Sequence, residues 1–439
     1  MPPQVPLKGR PVPSGRLARL ARLGGLAAGV AGGALAQGAR QLAQGERPSL
    51  PGLVFSPGNV LRITDRLSEM RGAAMTMGQL LSMDAGDLLP PEMAEVMGRL
   101  RADARPMPPR QLGQVLDAEW GLGWRGRFVD FTTQPMAAAS IGQVHRARLR
   151  DGRELAIKVQ YPGVARSIDS DVDNVASLLR LSGMLPEGFD VGPLLAEAKR
   201  QLHEEADYLR EAEHLRRFSG LLRDDPGFRV PDVDADLSTA RVLAMSHETG
   251  EPLEIVGAGP PDLRDGVASR LLELGLREMF EWGWMQTDPN LANYRWDAGR
   301  GGIVLLDFGA TREVPPAIAD RYRAILRAAF LRDRQAALAA LESFGALDAR
   351  TPAAVQAEAL ALFDLASGAM LHEGPFDFSQ SDLLATLRQR GMTLVQDRDT
   401  WRAPPPETLF VQRKLGGLYL LAARLQARVD LRKLVAPYL

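Results

Sequence analysis

Cysteine is absent from the 439-residue chain, which excludes disulfides, a thiolate metal site and a cysteine nucleophile. Histidine is scarce. The five residues at 145, 203, 214, 247 and 372 show no ligand spacing, so a zinc centre has no support. Excess charge of either sign is missing too: the net charge of −1 argues against a nucleic-acid binder driven by bulk positive field. The scarcity that says most is lysine. Only five of the 53 basic residues are Lys and the rest are Arg. One of the five, Lys158, stands in the apolar run Leu155-Ala156-Ile157-Lys158-Val159. A lysine kept there marks a site that needs a compact ammonium rather than a planar fork. Single arginines carry little information in a chain this rich in Arg, Ala and Gly.

Apolar residues make up 45% and charged residues 24%, the balance of a soluble globular protein, and the length admits two to three domains. The first 45 residues differ. They hold Lys8, Arg10, Arg16, Arg19, Arg22 and Arg40, and no acid precedes Glu46. The uncharged Gly/Ala run between Arg22 and Arg40 is too weakly apolar for the roughly 20-residue span of a bilayer. Ala34-Leu35-Ala36 imitates a signal-peptidase site, although few large apolar residues precede it. The segment fits a disordered basic tail, an organellar transit peptide, or a tail attracted to anionic lipid. No later stretch reads as transmembrane.

Leu67, Met70, Ala74, Met77 and Leu81 form one stripe and predict a helix over 61–83, with Gly72, Thr76 and Gln79 on another face. Pro90-Pro91 breaks it, and a helix follows from about Glu92; Pro106, Pro108 and Pro109 precede a further helix from Arg110 to about Glu119. Strands are expected at 127–132, 143–150 and 153–161, the last two joined by the tight Asp151-Gly152 hairpin. Residues 164–218 read as helical with one interruption near 183–192. A second strand pair is expected from 228–233 and 239–247, a long helix over 262–283, and a buried strand at Ile303–Leu306. Beyond 315 the chain reads as helical. The predicted fold class is α+β with two lobes, divided as a basic tail (1–50), a helical extension (51–125), an N-lobe (126–250) and a helical C-lobe (251–439).

Asp307-Phe308-Gly309 follows the buried strand directly. Such an Asp can hold Mg²⁺ on nucleotide phosphates; alone the tripeptide is weak. Asp288-Pro289-Asn290-Leu291-Ala292-Asn293 strengthens it, because Asp and Asn five apart match a kinase catalytic loop. There Asp288 would orient the nucleophile, and Asn293 with Asp307 would take the metal. Gln286-Thr287 replaces the usual His-Arg ahead of the Asp. Lys158 would hold phosphates, and it needs an acidic partner from a helix. Glu204, Glu205, Asp207 and Glu211 all qualify. Glu205 falls on the stripe of Leu195, Ala198, Leu202, Leu209 and Ala212, while Glu211 points about 120° away from it on a continuous helix, and the choice stays open. Where a kinase has a Gly-rich loop, this chain has Ala137-Ala138-Ala139-Ser140-Ile141-Gly142. It reads as a nucleotide-covering loop of altered shape, or as a plain strand turn.

Together these residues resemble the UbiB-type atypical kinases of coenzyme Q (ubiquinone) biosynthesis, in their mitochondrial-type branch. Pro135–His145 is similar to the Ala-rich loop of that family, Met285–Asn290 to its catalytic loop, Leu306–Glu313 to its metal loop and Glu205-Ala206-Asp207 to its E-x-D motif. The resemblance covers about residues 60–439. It implies a protein-kinase-like two-lobe fold with an N-terminal helical extension over the active site. It also implies Mg and ATP as cofactors, Lys158, Glu205, Asp207, Glu211 and Asp288 as working residues, and Ala137, Ala138, Ala139 and Ser140 at the nucleotide. In the family a K-x-G-Q motif on the extension meets the E-x-D acids and blocks protein substrates; here it reads Thr76-Met77-Gly78-Gln79. Gly78 and Gln79 are kept and the lysine is replaced by Thr76. Altered nucleotide choice or faster turnover than a Thr76→Lys variant is therefore expected. The implied partners are ATP or ADP, anionic membrane lipid, prenylquinone precursors, quinone-biosynthesis enzymes and a second copy of the chain in a homodimer, with no nucleic acid. The implied place is the cytoplasmic face of the inner membrane in a bacterium, or the matrix side in a mitochondrion. Two other function classes compete: a true protein kinase, disfavoured by the Ala-rich loop and the extension, and a nucleotide-binding scaffold with little turnover, disfavoured by Asp288, Asn293 and Asp307.

Overall fold

The computed structural model describes Ala73 and residues 106–139, 141–181, 192–345, 347–348, 350–395 and 406–439. The basic tail, Thr76, Gly78, Gln79 and Ser140 lie outside the described residues, as does the helix expected over 61–83 except for Ala73, a buried helical residue. The first elements are α1 (Pro109–Trp120), β1 (Phe128–Phe131), β2 (Ala137–Ala138), β3 (Gly142–Leu149), β4 (Glu154–Gln160), α2 (Val164–Leu181), α3 (Gly192–Glu205) and α4 (Tyr208–Leu221). Next come β5 (Phe228–Arg229), β6 (Val242–Ser246), β7 (Glu251–Pro252), α5 (Pro261–Arg277), β8 (Trp284–Gln286), β9 (Tyr294–Asp297), β10 (Gly302–Leu305) and β11 (Thr311–Glu313). The remainder is α6 (Pro316–Leu331), α7 (Arg334–Ser343), α8 (Ala353–Leu371), β12 (Phe376–Asp377), α9 (Leu383–Val395), α10 (Pro406–Arg424), β13 (Arg428–Val429) and α11 (Leu431–Val435). These form two compact units. One holds the described residues up to Arg216 with Asp232–His247; the other holds Arg217–Pro231 with Glu248–Leu439.

In the first unit five strands form an antiparallel sheet of order β1-β3-β4-β6, with β2 on β3. Side chains alternate across a strand, so the register assigns faces. His145, Ile157 and Ala244 share one row and Val144, Lys158 and Leu243 the next. Ala147, Leu149, Leu155, Ile157, Val159, Val242 and Ala244 make a core with Met107, Leu112, Val115, Leu116 and Trp120 of the α1 segment. Helix α1 starts at a proline, which lacks the amide an N-terminus cannot satisfy, and ends at Gly121 with φ +80. Although it was expected to belong with the extension up to residue 125, it shares its core with the sheet. Trp120, Trp124, Phe128 and Phe131 stack around its end, centroids 4.8–6.5 Å apart.

Two expectations need correction here. The β3–β4 loop has three residues rather than two. The Leu149 carbonyl accepts from Gly152 N–H, Leu149 N–H donates to the Arg153 carbonyl, and Gly152 takes φ +91, the pattern of a turn closed by a glycine bulge. The stretches 228–233 and 239–247 are not a strand pair; only Val233 bridges Met245. Strand β6 pairs with β4, and β5 joins the sheet of the second unit, because partner choice at long range leaves no mark on a short apolar run.

The second unit contains a four-stranded sheet of order β5-β10-β9-β7 and two small pairs, β8 with β11 and β12 with β13. Strand β10 is buried throughout, as expected of the Ile303–Leu306 run. The long helix α5 passes into a π-turn over Glu278–Trp282 and stops at Gly283, φ +63. Helices α6 to α11 complete the unit, in line with the helical reading beyond 315. Among the described residues α8 is long and apolar enough to cross a membrane by length and composition. The expectation that no later stretch has that character is thus corrected; Glu358 and Asp364 interrupt its apolar run in the sequence.

Candidate functional site

In the first unit the chemistry gathers around Lys158. Strand β4 is buried on both faces, and its even-numbered side chains point away from α1. Lys158 is therefore placed beside helix α4. Its Nζ lies 2.9 Å from both carboxylate oxygens of Glu211, which is 1% exposed. The Tyr208 ring lies 5.1 Å from the same Nζ. Of the four acids that qualified, Glu211 makes this pair. Glu204 stands near Arg200 and Arg210, and Glu205, half-buried, accepts from Gln201 Nε2 at 3.1 Å. Asp207 is exposed and accepts from the backbone amides of Leu209 and Arg210.

The physical reason lies in that last contact. Sequence periodicity carried one helix through 204–212, but Asp207 starts a new one. An Asp that satisfies the orphan amides of a first turn favours a break. The break resets the phase, so the stripe through Glu205 and Leu209 does not exist, and Leu209 is 47% exposed.

The Ala-rich segment is a short hairpin. Ala137 pairs with Val144 and Ala138 with Gln143; Ala139 N–H donates to the Gly142 carbonyl. Ala137, Val144 and Lys158 form one row across three strands, which sets Ala137 about 10 Å from Lys158 at the usual strand spacing. Gly142 is required. A Cβ there would meet the Val159 carbonyl oxygen at 2.4 Å and the Tyr208 hydroxyl at 2.8 Å. Below it, Gln143 Oε1 accepts from Met107 N–H, Gln143 Nε2 lies 2.8 Å from His145 Nε2, and His145 Nδ1 lies 2.8 Å from the Thr132 carbonyl. That pattern requires a neutral imidazole donating from Nδ1. Burial lowers the His145 pKa, against the bond to Thr132.

The second unit brings Asp288, Asn293 and Asp307 together through two strand pairs. Antiparallel β9 and β10 place Tyr294 opposite Leu305, and one step beyond, Leu306 N–H donates to the Asn293 carbonyl. Asn293 and Asp307 thus stand at the open end of one hairpin. Strands β8 and β11 pair Gln286 with Thr311, and the Thr287 amide and hydroxyl both donate to the Ala310 carbonyl. Asn293 Nδ2 donates to Asp288 Oδ2 at 2.9 Å and to the Asp288 carbonyl at 3.2 Å. Asp307 Oδ1 accepts from Gly309 N–H at 3.0 Å. Phe308 is buried against Phe218, centroids 4.7 Å apart.

With its amide nitrogen donating to Asp288, the atom of the Asn293 side chain that could meet a cation is its oxygen. Nucleotide-bound Mg²⁺ takes one or two protein oxygens and fills its octahedron with phosphate and water. Asn293 and Asp307 fit that demand. Among the described residues no group of three or more His, Cys, Asp or Glu forms an all-protein metal cage.

Sequence reasoning missed the support beneath this loop. Lys414 and Glu278, each 1% exposed, form an ion pair at 2.9 Å. Burial alone would lower the Lys414 pKa; the Glu278 carboxylate, with Tyr294, outweighs it and holds the ammonium above the usual lysine range. Lys414 Nζ also reaches Gln286 Oε1 at 3.5 Å, and Gln286 Nε2 donates to the Asp288 carbonyl at 2.9 Å. The rarity of lysine that singled out Lys158 applies equally to Lys414.

An antiparallel sheet with a buried Lys–Glu pair in one unit, and an Asp…Asn loop with an Asp-Phe-Gly turn at strand ends in the other, define a protein-kinase-like protein. Residues 99–341 match the ABC1 atypical kinase-like domain. The chain is 38% identical over 437 residues to the atypical kinase COQ8, mitochondrial, of Saccharomyces cerevisiae, covering 98% of this chain and 85% of that one. It is 40% identical over 428 residues to the atypical kinase COQ8B, mitochondrial, of Rattus norvegicus, covering 97% and 80%. Among solved structures, Rv3197 of Mycobacterium tuberculosis, in complex with erythromycin, superposes with a TM-score of 0.59 at 27% identity over 84% of this chain and 92% of that one. The chain belongs to the ABC1 (UbiB-type) atypical kinase family.

Proposed function

We propose that this chain is a Mg-ATP-dependent atypical kinase or ATPase that supports coenzyme Q (ubiquinone) biosynthesis at a membrane surface. The single observation that carries the reading is Asn293. Its side chain holds Asp288 and its backbone carbonyl accepts from the amide of Leu306, the residue before Asp307, so one residue ties the nucleophile-orienting loop to the metal turn. In this reading Lys158, kept in place by Glu211, holds nucleotide phosphates as a point charge. Asp307 and Asn293 hold Mg²⁺, which neutralises charge developing on the phosphoryl group. Asp288 positions the attacking water or hydroxyl. Ala137, Ala138, Ala139 and Ser140 line the phosphates with a less open backbone than a Gly-rich loop.

Family membership supports the pathway. The basic N-terminal segment supports loose attachment to anionic lipid, and the mitochondrial relatives support a matrix-side or, in a bacterium, a cytoplasmic location. Prenylquinone precursors and quinone-biosynthesis enzymes are the proposed partners, with a homodimer as the proposed assembly. Thr76 in place of the family lysine relaxes inhibition by the extension; equal ADP/ATP affinity and equal ATPase rates in wild type and Thr76→Lys would refute this. Quinone profiling tests the whole reading in a deletion strain lacking the gene. Quinone should return with the wild-type chain and fail to return with Asp307→Asn expressed at the same level. Full rescue by Asp307→Asn would leave only a scaffold. Flotation with anionic liposomes tests the membrane part, which fails if the chain neither binds nor gains ATPase rate.

A further inference from the structure

Helix α10 begins more than a hundred residues beyond the Asp288 loop, yet three of its residues touch that loop. Arg413 Nη2 donates to Asp288 Oδ1 at 3.3 Å, with the Arg413 side chain 9% exposed. Lys414 reaches Gln286. Gly417 receives the Pro289 ring: a Cβ there would come within 2.0 Å of Pro289 Cγ and 2.3 Å of Cβ. Residues three and four apart share a helix face, so Arg413, Lys414 and Gly417 present one surface to residues 286–289. A second glycine contact packs the helix against α5, since a Cβ at Gly275 of α5 would meet Leu418 at 2.6 Å.

The Asp288 carboxylate is thus held from two sides. Asn293 donates to Oδ2 and Arg413 to Oδ1. Two donors on opposite oxygens fix the plane of a carboxylate, which one bond leaves free to rotate. The residues directly before Asp288 supply no cation: Gln286 and Thr287 are uncharged, and their side-chain donors go to the Asp288 and Ala310 carbonyls. We propose that α10 is the seat of the catalytic loop and that Arg413 is a positioning residue, which orients Asp288 for the water or hydroxyl it serves. The inference rests on the role given to Asp288 above.

The test measures kcat and KM for phosphate release from Mg-ATP on the full chain, and the affinity of a non-hydrolysable ATP analogue by calorimetry. Misplacing a reacting group by about 1 Å can cost about 100-fold in rate, so Arg413→Gln should lower kcat by roughly 10- to 100-fold. KM and analogue affinity should stay within about twofold, because Arg413 works through Asp288 rather than on the nucleotide. Arg413→Lys keeps the charge and loses the fork, so it should fall between. Gly417→Ala keeps Arg413 but displaces Pro289, and should show the same loss confined to kcat. A wild-type kcat in Arg413→Gln overturns the proposal, as does a loss of analogue affinity matching the loss of rate. Should Arg413→Gln fail to fold, Arg413→Lys decides alone: reduced kcat at wild-type analogue affinity supports the proposal and wild-type kcat refutes it. Asp288→Asn separates the two levels. If it leaves turnover intact, the role of Asp288 falls; if it abolishes turnover while Arg413→Gln keeps the wild-type kcat, only the positioning role falls.

Discussion

Two of the four described lysines are buried, and each lies 2.9 Å from a buried glutamate: Lys158 with Glu211 in one unit, Lys414 with Glu278 in the other. They differ in what surrounds the pair. Lys158 stands in the same row as the Ala-rich hairpin, with a tyrosine ring beside it. Lys414 is sealed, its side chain 1% exposed, among Glu278, Gln286 and Tyr294 under the Asp288 loop. A buried lysine is thus not by itself a phosphate ligand. The same ion pair serves a proposed ligand-binding role in one place and a supporting role in the other, and the neighbours decide which.

Double replacements break the comparison most sharply. Removing one partner of a buried pair costs about 3–5 kcal/mol, whereas replacing both with apolar residues of similar volume is often neutral. Lys158→Met and Lys414→Met should therefore both depress the urea midpoint. Adding Glu211→Leu and Glu278→Leu, respectively, should restore it in both. Phosphate release should return in the Lys414/Glu278 double variant. In the Lys158/Glu211 double variant it should stay down by about 100-fold or more, the scale of losing a group that stabilises developing charge. Recovery in both, or in neither, would erase the distinction between the two lysines.

A smaller effect belongs to Gly142. The new Cβ of Gly142→Ala would press on the Val159 carbonyl oxygen and the Tyr208 hydroxyl; overpacking of this kind costs about 1–3 kcal/mol. Chemical denaturation should show that loss together with weaker nucleotide binding. Gly113→Ala, where nothing lies within 4 Å, should be neutral or stabilising. The mildest effect is pH-dependent. His145 is held neutral between Gln143 and Thr132, its pKa lowered by burial. A depressed folded-state pKa means that the unfolded chain binds the proton more readily. Stability should be fully present above the ordinary histidine value of about 6.5 and decline as pH falls below it. A His145→Gln variant should lose this part of the slope in thermal unfolding between pH 7 and pH 5.

Much of this was legible in the sequence, for identifiable reasons. Lys158 stood out because its strand is buried on both faces, which leaves an unbroken apolar run around one charge. Asp307 and Asn293 could be read because each sits a fixed number of residues from a strand end or from Asp288. The partner of Lys158 could not be chosen, since the decisive event is a helix break at Asp207 that shifts the phase by a local cap. The pairing of β5 and β6 was misread because both are short and find their partners far along the chain. Arg413, Lys414 and Gly417 were missed for a similar reason: no local pattern links a C-terminal helix to a loop 125 residues away.

The most direct measurement is phosphate release from Mg-ATP by the purified full chain and by Asp307→Asn, with folding of both checked by circular dichroism. The expected result is magnesium-dependent turnover in the wild type and its loss in the variant at unchanged secondary structure. Equal turnover in the two proteins, or none in the wild type, would contradict the assignment of Mg-ATP chemistry to this site.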